Sequence, residues 1–265
     1  MANTPENGIP ASELRNVSKR FGDLVVLDGV DLKVMAGQTT VIIGESGVGK
    51  SVALKHTLAL LRPDEGEVYF EGRRIDHLDE RELVDVRKNF GFLFQMGALF
   101  DSMTAGENVG FPLEEQGTCS AEEIKRIVSE KLRMVGLDGI QGKKPATLSG
   151  GQRKRVALAR AIALNPKMIL YDEPTTGLDP VRADVINELI NKLKRELGIT
   201  SLVVTHDMAS VFRVADRILM LHDGKIRFDG SVEDIRNSTD PIVKRFVEGR
   251  AGEDDLDGLH GGEKP

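Results

Sequence analysis

Gly44-Glu45-Ser46-Gly47-Val48-Gly49-Lys50-Ser51 sets glycines, a lysine and a hydroxyl in the spacing G-x-x-x-x-G-K-[ST]. Glycines let a backbone wrap closely, so that successive N–H groups point at phosphate oxygens. The helix pattern just after the loop adds its positive N-terminal end. Lys50 has the reach for the β- and γ-phosphates, and the Ser51 hydroxyl suits Mg²⁺. Glu45, Ser46, Val48 and Val52 belong to the same cradle or border it. The chemistry indicated is phosphate transfer from, or hydrolysis of, a nucleoside triphosphate. A Gly-rich turn without a ligand is the bland alternative.

A second acidic site ends an apolar run, Met168-Ile169-Leu170-Tyr171-Asp172-Glu173. In phosphate-loop enzymes a strand-end Asp holds Mg²⁺, which suits Asp172. The adjacent Glu173 is a candidate general base for an attacking water. Guanine recognition is expected to show Asn-Lys-x-Asp, and the Asn191-Lys192 pair continues as Leu193-Lys194 instead.

These residues need a sheet to hold them. Strands are expected at Leu24–Leu27, Val30–Val34, Thr39–Ile43, Glu67–Phe70, Phe90–Gln95, Lys167–Asp172, Ser201–Thr205 and Arg217–Leu221. Helices are expected at Lys50–Leu61, Ser120–Val135, Ser149–Leu164, Pro180–Leu197 and Asp207–Val214. Ser120 and Glu123 have the spacing of a capping box. Strands alternating with helices argue for a mostly parallel sheet covered on both faces. A helical insertion is placed at roughly 96–160.

The 265 residues are 40% apolar and 29% charged, with a formal charge of −6. That is one globular domain or a domain with a subdomain. The charge balance argues against nucleic acid as a partner, although Arg153-Lys154-Arg155 is a local basic patch. A single cysteine, Cys119, allows no disulfide within the chain. The polar start, Met1 to Pro10, does not read as a secretion signal, and no run of about 18 apolar residues reads as a membrane span. Residues 251–265, acidic and Gly-rich, are expected to form a disordered tail.

Leu148-Ser149-Gly150-Gly151-Gln152, lying between the phosphate loop and the Asp-Glu strand, resembles the signature of ABC transporter ATPases. The resemblance runs from about residue 12 to 230. It implies a P-loop NTPase (RecA-like) α/β core with an antiparallel β-subdomain and a helical insertion. The expected division is 12–95 with 161–250 for the core and 96–160 for the helical part. It also implies roles. Phe21 stacks on adenine. Gln95 and Ser51 join Asp172 at Mg²⁺. Asp179 occupies the D-loop, and His206 contacts the γ-phosphate. Ser149, Gly150, Gly151 and Gln152 form an anion site for ATP held by the other subunit. The catalytic set is then Glu173, His206, Lys50 and Gln95. With one phosphate loop and one signature, the chain needs a second copy, most simply in a homodimer.

Phe94 to Thr104 and Asp240 to Gly249 are similar to Mla-type phospholipid transport ATPases, although Ala105-Gly106 stands where a bulkier pair is expected. That subfamily implies an integral membrane permease, an MCE lipid-binding protein, and a peripheral place on the cytoplasmic face of a bacterial inner membrane. An importer ATPase for amino acids or other polar solutes, a soluble ABC ATPase without a permease, and a dead nucleotide site remain as alternatives.

Overall fold

The computed structural model describes residues 8–251, and the tail expectation for 251–265 lies, but for Ala251, outside the described residues. Ten strands and nine α-helices succeed one another there. In chain order they begin β1 (Ser12–Phe21), β2 (Leu24–Val34), β3 (Thr39–Ile43), α1 (Lys50–Thr57), β4 (Glu65–Phe70), β5 (Arg73–Arg74), α2 (Glu80–Arg87) and β6 (Phe90–Leu93). Then come α3 (Ala105–Gln116), α4 (Ala121–Met134), α5 (Gly150–Ala161), β7 (Met168–Asp172), α6 (Pro180–Leu197) and β8 (Thr200–Val204). The chain closes with α7 (Met208–Val214), β9 (Arg217–His222), β10 (Lys225–Gly230), α8 (Val232–Arg236) and α9 (Pro241–Glu248).

The central sheet runs β10-β9-β3-β8-β7-β6, and a second sheet runs β2-β1-β4-β5. In the central sheet β9, β3, β8, β7 and β6 are mutually parallel, and β10 is antiparallel to β9. The second sheet is antiparallel throughout. β3 and β8 are buried at every position. This is why they read as unbroken β-rich runs without polar alternation. Their side chains still alternate between two cores. Val41, Ile43, Ile169, Tyr171 and Val203 meet the face that carries α5 and α6. Ile42, Met168, Leu170, Leu202 and Val204 meet α1 and the antiparallel sheet. The P-loop NTPase fold with its antiparallel sheet is thus present.

Several elements depart from the sequence expectation. The two short strands Leu24–Leu27 and Val30–Val34 are one strand, bent at Gly29, where φ is +64°. α1 stops at Thr57, because Ala59 turns left-handed and Arg87 of α2 donates to the carbonyls of Leu58 and Ala59. α5 ends at Ala161, where β6 crosses so closely that a Cβ on Gly91 would lie 2.5 Å from the Ala161 carbonyl. α3 breaks the helical pattern with Gly106, Gly110 and Pro112, yet it forms. Its glycines let it approach neighbours: a Cβ would meet Gln141 O at 3.1 Å from Gly106 and Ile124 Cγ2 at 3.2 Å from Gly110. The small pair Ala105-Gly106 therefore suits this packing. The basic patch is smaller at the surface than the sequence suggests, with Arg153 exposed. Lys154 is buried, and Arg155 donates to the carbonyls of Val135 and Gly136.

Candidate active site

Four parallel strands end at the same edge of the sheet, and each end leads into polar residues. β3 runs into the glycine loop, β6 toward Gln95, β7 ends on Asp172, and β8 leads to Thr205 and His206. Open α/β sheets gather ligand groups at this edge. A cleft of about 300 Å³ lies there, lined by Ser46, Gly47, Gly49, Lys50, Ser51, Val52, Gln95, Asp172, Glu173 and His206.

The loop geometry requires its glycines. Gly44 and Gly49 have φ of +147° and +102°. A Cβ on Gly44 would lie 2.3 Å from Leu221 O, and one on Gly49 would lie 2.8 Å from Val26 O. The loop is pressed against β9 and β2, so its shape is set from behind. Lys50 is buried and folds back over the loop, donating to Gly44 O at 2.8 Å and Glu45 O at 2.7 Å. Burial lowers the pKa of its ammonium, and the charges of Glu173, Asp172 and Glu45 oppose that shift. An anion entering the cradle replaces two carbonyl acceptors with a full counter-charge.

Ser51 Oγ donates to Asp172 Oδ1 at 3.0 Å. Among the described residues no group of three or more His, Cys, Asp or Glu could hold a metal by itself. A hydroxyl and one carboxylate side by side fit Mg²⁺, which usually takes one or two protein ligands and completes its shell with phosphates and water.

Glu173 is held from several sides. His206 Nδ1 lies 2.8 Å from its Oε1. Thr176 and Thr205 donate to Oε2 at 3.0 and 3.3 Å. Its backbone is left-handed, with φ +50°, a strained state for a residue with a Cβ. Sequence reasoning missed both threonines, although Thr205 stands beside His206 and Thr176 three residues past Glu173. A network behind the site was missed as well. Ser210 donates to Asp207 at 2.6 Å, and Asn187 donates to Ser210 at 2.9 Å, joining α6 to α7.

The remaining expected site residues lie elsewhere. Phe21 is half exposed at the tip of the β1–β2 hairpin and does not line the cleft, although Val26 of that hairpin backs Gly49. Ser149 and Gly151 line a separate, smaller cleft with Arg155, Arg182, Val185 and Ile186. Ser149 caps α5: its Oγ accepts from Gln152 N, and the Gln152 amide oxygen accepts from Ser149 N. Asp179 caps α6. The two clefts share no lining residue, so one chain does not bring its own Ser149 helix to its own phosphate loop.

A family model described as ABC transporter matches residues 27–176, more than half of the chain. The "Intermembrane phospholipid transport system ATP-binding protein MlaF" of Haemophilus influenzae is 42% identical over 90% of this chain and 90% of its own length. The "Probable ribonucleotide transport ATP-binding protein mkl" of Mycobacterium leprae is also 42% identical, over 91% of this chain and 69% of its length. The dimeric ATP-binding cassette MJ0796, solved in a post-hydrolysis state bound to ADP and Pi, superposes with a TM-score of 0.77 at 39% identity, covering 83% of this chain and 98% of the other. This chain belongs to the ABC transporter family, as one of its ATP-binding and ATP-hydrolysing subunits.

Proposed function

We propose that the chain powers phospholipid movement between membranes, working as a pair of copies beneath an integral membrane permease. The observation that carries the catalytic part is the convergence of Lys50, Ser51, Asp172, Glu173 and His206 on one cleft. The loop amides and Lys50 hold the β- and γ-phosphates of ATP. Glu173 accepts a proton from the attacking water, whose oxygen bonds to the γ-phosphorus as the bond to ADP breaks. ADP and inorganic phosphate leave. His206 fixes the Glu173 carboxylate and faces the terminal phosphate. Ser51, Asp172 and Gln95 would hold Mg²⁺, which supplies charge neutralisation for the phosphates. Most of the acceleration comes from positioning and charge stabilisation.

The geometry supports a second copy. Ser149, Gly150, Gly151 and Gln152 open α5 away from the chain's own cleft. They serve the ATP held by the partner, with Asp179 beside the join, and Phe21 flanks the adenine. The core comprises 12–95 and 161–250, and residues 96–160 form the helical part that meets the permease. Among the described residues no helix is long and apolar enough to cross a membrane, and the path is assigned to a separate permease on the likeness to transporter ATPases. The chain then sits on the cytoplasmic face of a bacterial inner membrane, with an MCE lipid-binding protein as the distal partner.

The cargo rests on the likeness to MlaF and on the segments around Phe94–Thr104. Mkl, equally identical, is named for ribonucleotide transport. Mild-detergent extraction of the tagged chain from its native membrane, with identification of copurifying proteins and lipids, separates the two. A permease with an MCE protein and bound phospholipid is the expected result. A permease with a solute-binding protein would keep the transporter and discard the lipid.

A further inference from the structure

α5 begins at the capped Ser149, and one turn later Lys154 points into the protein. Its side chain is buried, and its Nζ donates to three backbone carbonyls: Pro174 at 2.7 Å, Thr176 at 2.7 Å and Glu173 at 3.3 Å. An ammonium has three protons, and here each has an acceptor. No carboxylate forms an ion pair with Lys154 among the described residues. A buried charge without a counter-ion is costly and persists only where dipoles converge on it.

The three carbonyls belong to the turn that carries Glu173. That turn is strained at Glu173, with φ +50°. Its other bonds include those of the Glu173 amide to Val204 O at 2.9 Å and of Thr176 to Glu173 through N–O at 3.3 Å and Oγ1–Oε2 at 3.0 Å, and none of them reaches the carbonyl of Pro174 or Thr176. The Glu173 carboxylate emerges from this backbone toward His206. A side chain that holds the carbonyls of 173, 174 and 176 at once fixes where the carboxylate points.

We infer that Lys154 is a positioning residue for ATP hydrolysis: its ammonium locks the left-handed turn Glu173–Thr176 and ties it to the helix that starts at Ser149. This rests on Glu173 being the base. The consequence is specific to a paired site. In the pair, Glu173 serves the chain's own ATP and the Ser149 helix serves the partner's, so Lys154 joins two different ATP sites through one rigid connection. Burial lowers the Lys154 pKa to about 8, with the Glu173 charge opposing the shift. The charge on which the connection depends is therefore poised.

The test uses the purified full chain as wild type, K154M, K154R, E173Q and the double variant K154M/E173Q. Steady-state hydrolysis, single-turnover phosphate release, binding of a fluorescent ATP analogue and thermal melts are read on each. Expected for K154M is a kcat at least tenfold lower, with KM and nucleotide affinity within threefold of wild type. K154R recovers to within about threefold of wild type. The double variant releases phosphate no more slowly than E173Q, because Lys154 acts through Glu173. A K154M kcat within twofold of wild type overturns the inference. So does a loss that multiplies in the E173Q background, which is what a general staple of the fold would give. If K154M does not melt cooperatively, K154Q, with two donors and no charge, replaces it under the same criteria. An E173Q chain hydrolysing at the wild-type rate instead removes Glu173 as the base, and with it the ground on which Lys154 stands.

Discussion

The strand-end cleft and the start of α5 are the two regions we propose to receive phosphate, and they are built in opposite ways. In the cleft, side chains far apart in sequence bond to one another: Ser51 to Asp172, His206 and Thr205 to Glu173, with Gly44 and Gly49 pressed against β9 and β2. At the start of α5 the bonding is local, within Ser149–Gln152, and the surface faces outward. The first region is organised before ATP arrives. The second has its donors ready and, in the proposed pair, serves a ligand held by the other copy. A helix N-terminus is a serviceable anion site, and it gains specificity only from what a partner presents.

The largest effect that separates the two regions is Glu173→Gln. It removes the proposed base and leaves the cradle intact, so kcat should fall about 10²- to 10⁴-fold while ATP binding persists. Size-exclusion chromatography with ATP should then show an accumulated pair of chains. Rapid turnover by this variant would remove Glu173 from the mechanism. Next in size is Gly151→Asp. The three atoms nearest a Cβ there all belong to the flexible Arg182 side chain, at 3.5 Å or more, so the fold should tolerate it, but a carboxylate would face the phosphate of the proposed partner. Hydrolysis is lost, and a single chain still binds the fluorescent analogue. If binding is lost as well, the two regions are not separate. His206→Ala comes third, with a fall of about 10- to 100-fold, because Thr176 and Thr205 still hold Oε2 of Glu173.

The pH profile sharpens the same contrast. The buried Lys154 ammonium is present below about 8 and lost above it, and the unfolded chain keeps that proton up to the ordinary lysine range. Activity should therefore decline as pH rises through about 8, while this group's contribution to folding stability rises over the same window. Glu173 faces it across the turn. On its own helix, Arg153 is engaged by Leu148 O and Arg155 by Gly136 O. Burial also lowers the pKa of Lys50, but that residue is the same in wild type and K154R. The alkaline decline should be blunted in K154R, and equal declines in the two chains would remove Lys154 as its cause.

Much of this is legible in the sequence, for reasons that differ by element. α6 reads at Pro180–Leu197 and α4 at Ser120–Val135 because caps and periodicity agree there. The cleft is legible because a glycine loop and strand-end acids carry their chemistry in residue type. α3 is not, since its glycines and proline look like a loop until α4 and Gln141 are seen packed against them. Lys154 is not, because a lysine between two arginines reads as solvated charge. Only the folded chain brings three carbonyls around it. Long-range polar contacts leave no local mark, and this is also why Thr205 gives no sign in the sequence of its bond to Glu173, whereas Thr176 stands only three residues past it.

The smallest effect is the most discriminating. Ser149 and Ser120 form the same capping box, with Gln152 and Glu123 as their reciprocal partners. Ser→Ala at either position removes one accepted backbone hydrogen bond and should cost about 1 kcal/mol, a melting shift of about 2–4 °C in a chain of this size. The two variants are therefore matched in what they do to a helix end. They differ in what lies beyond it, which for Ser149 is, in the proposed pair, the partner's ATP and for Ser120 is solvent. S149A should lose several-fold in kcat on top of the shared melting shift, whereas S120A should hydrolyse ATP at the wild-type rate. If both lose activity alike, the loss tracks stability, and the start of α5 is a capped helix and nothing more.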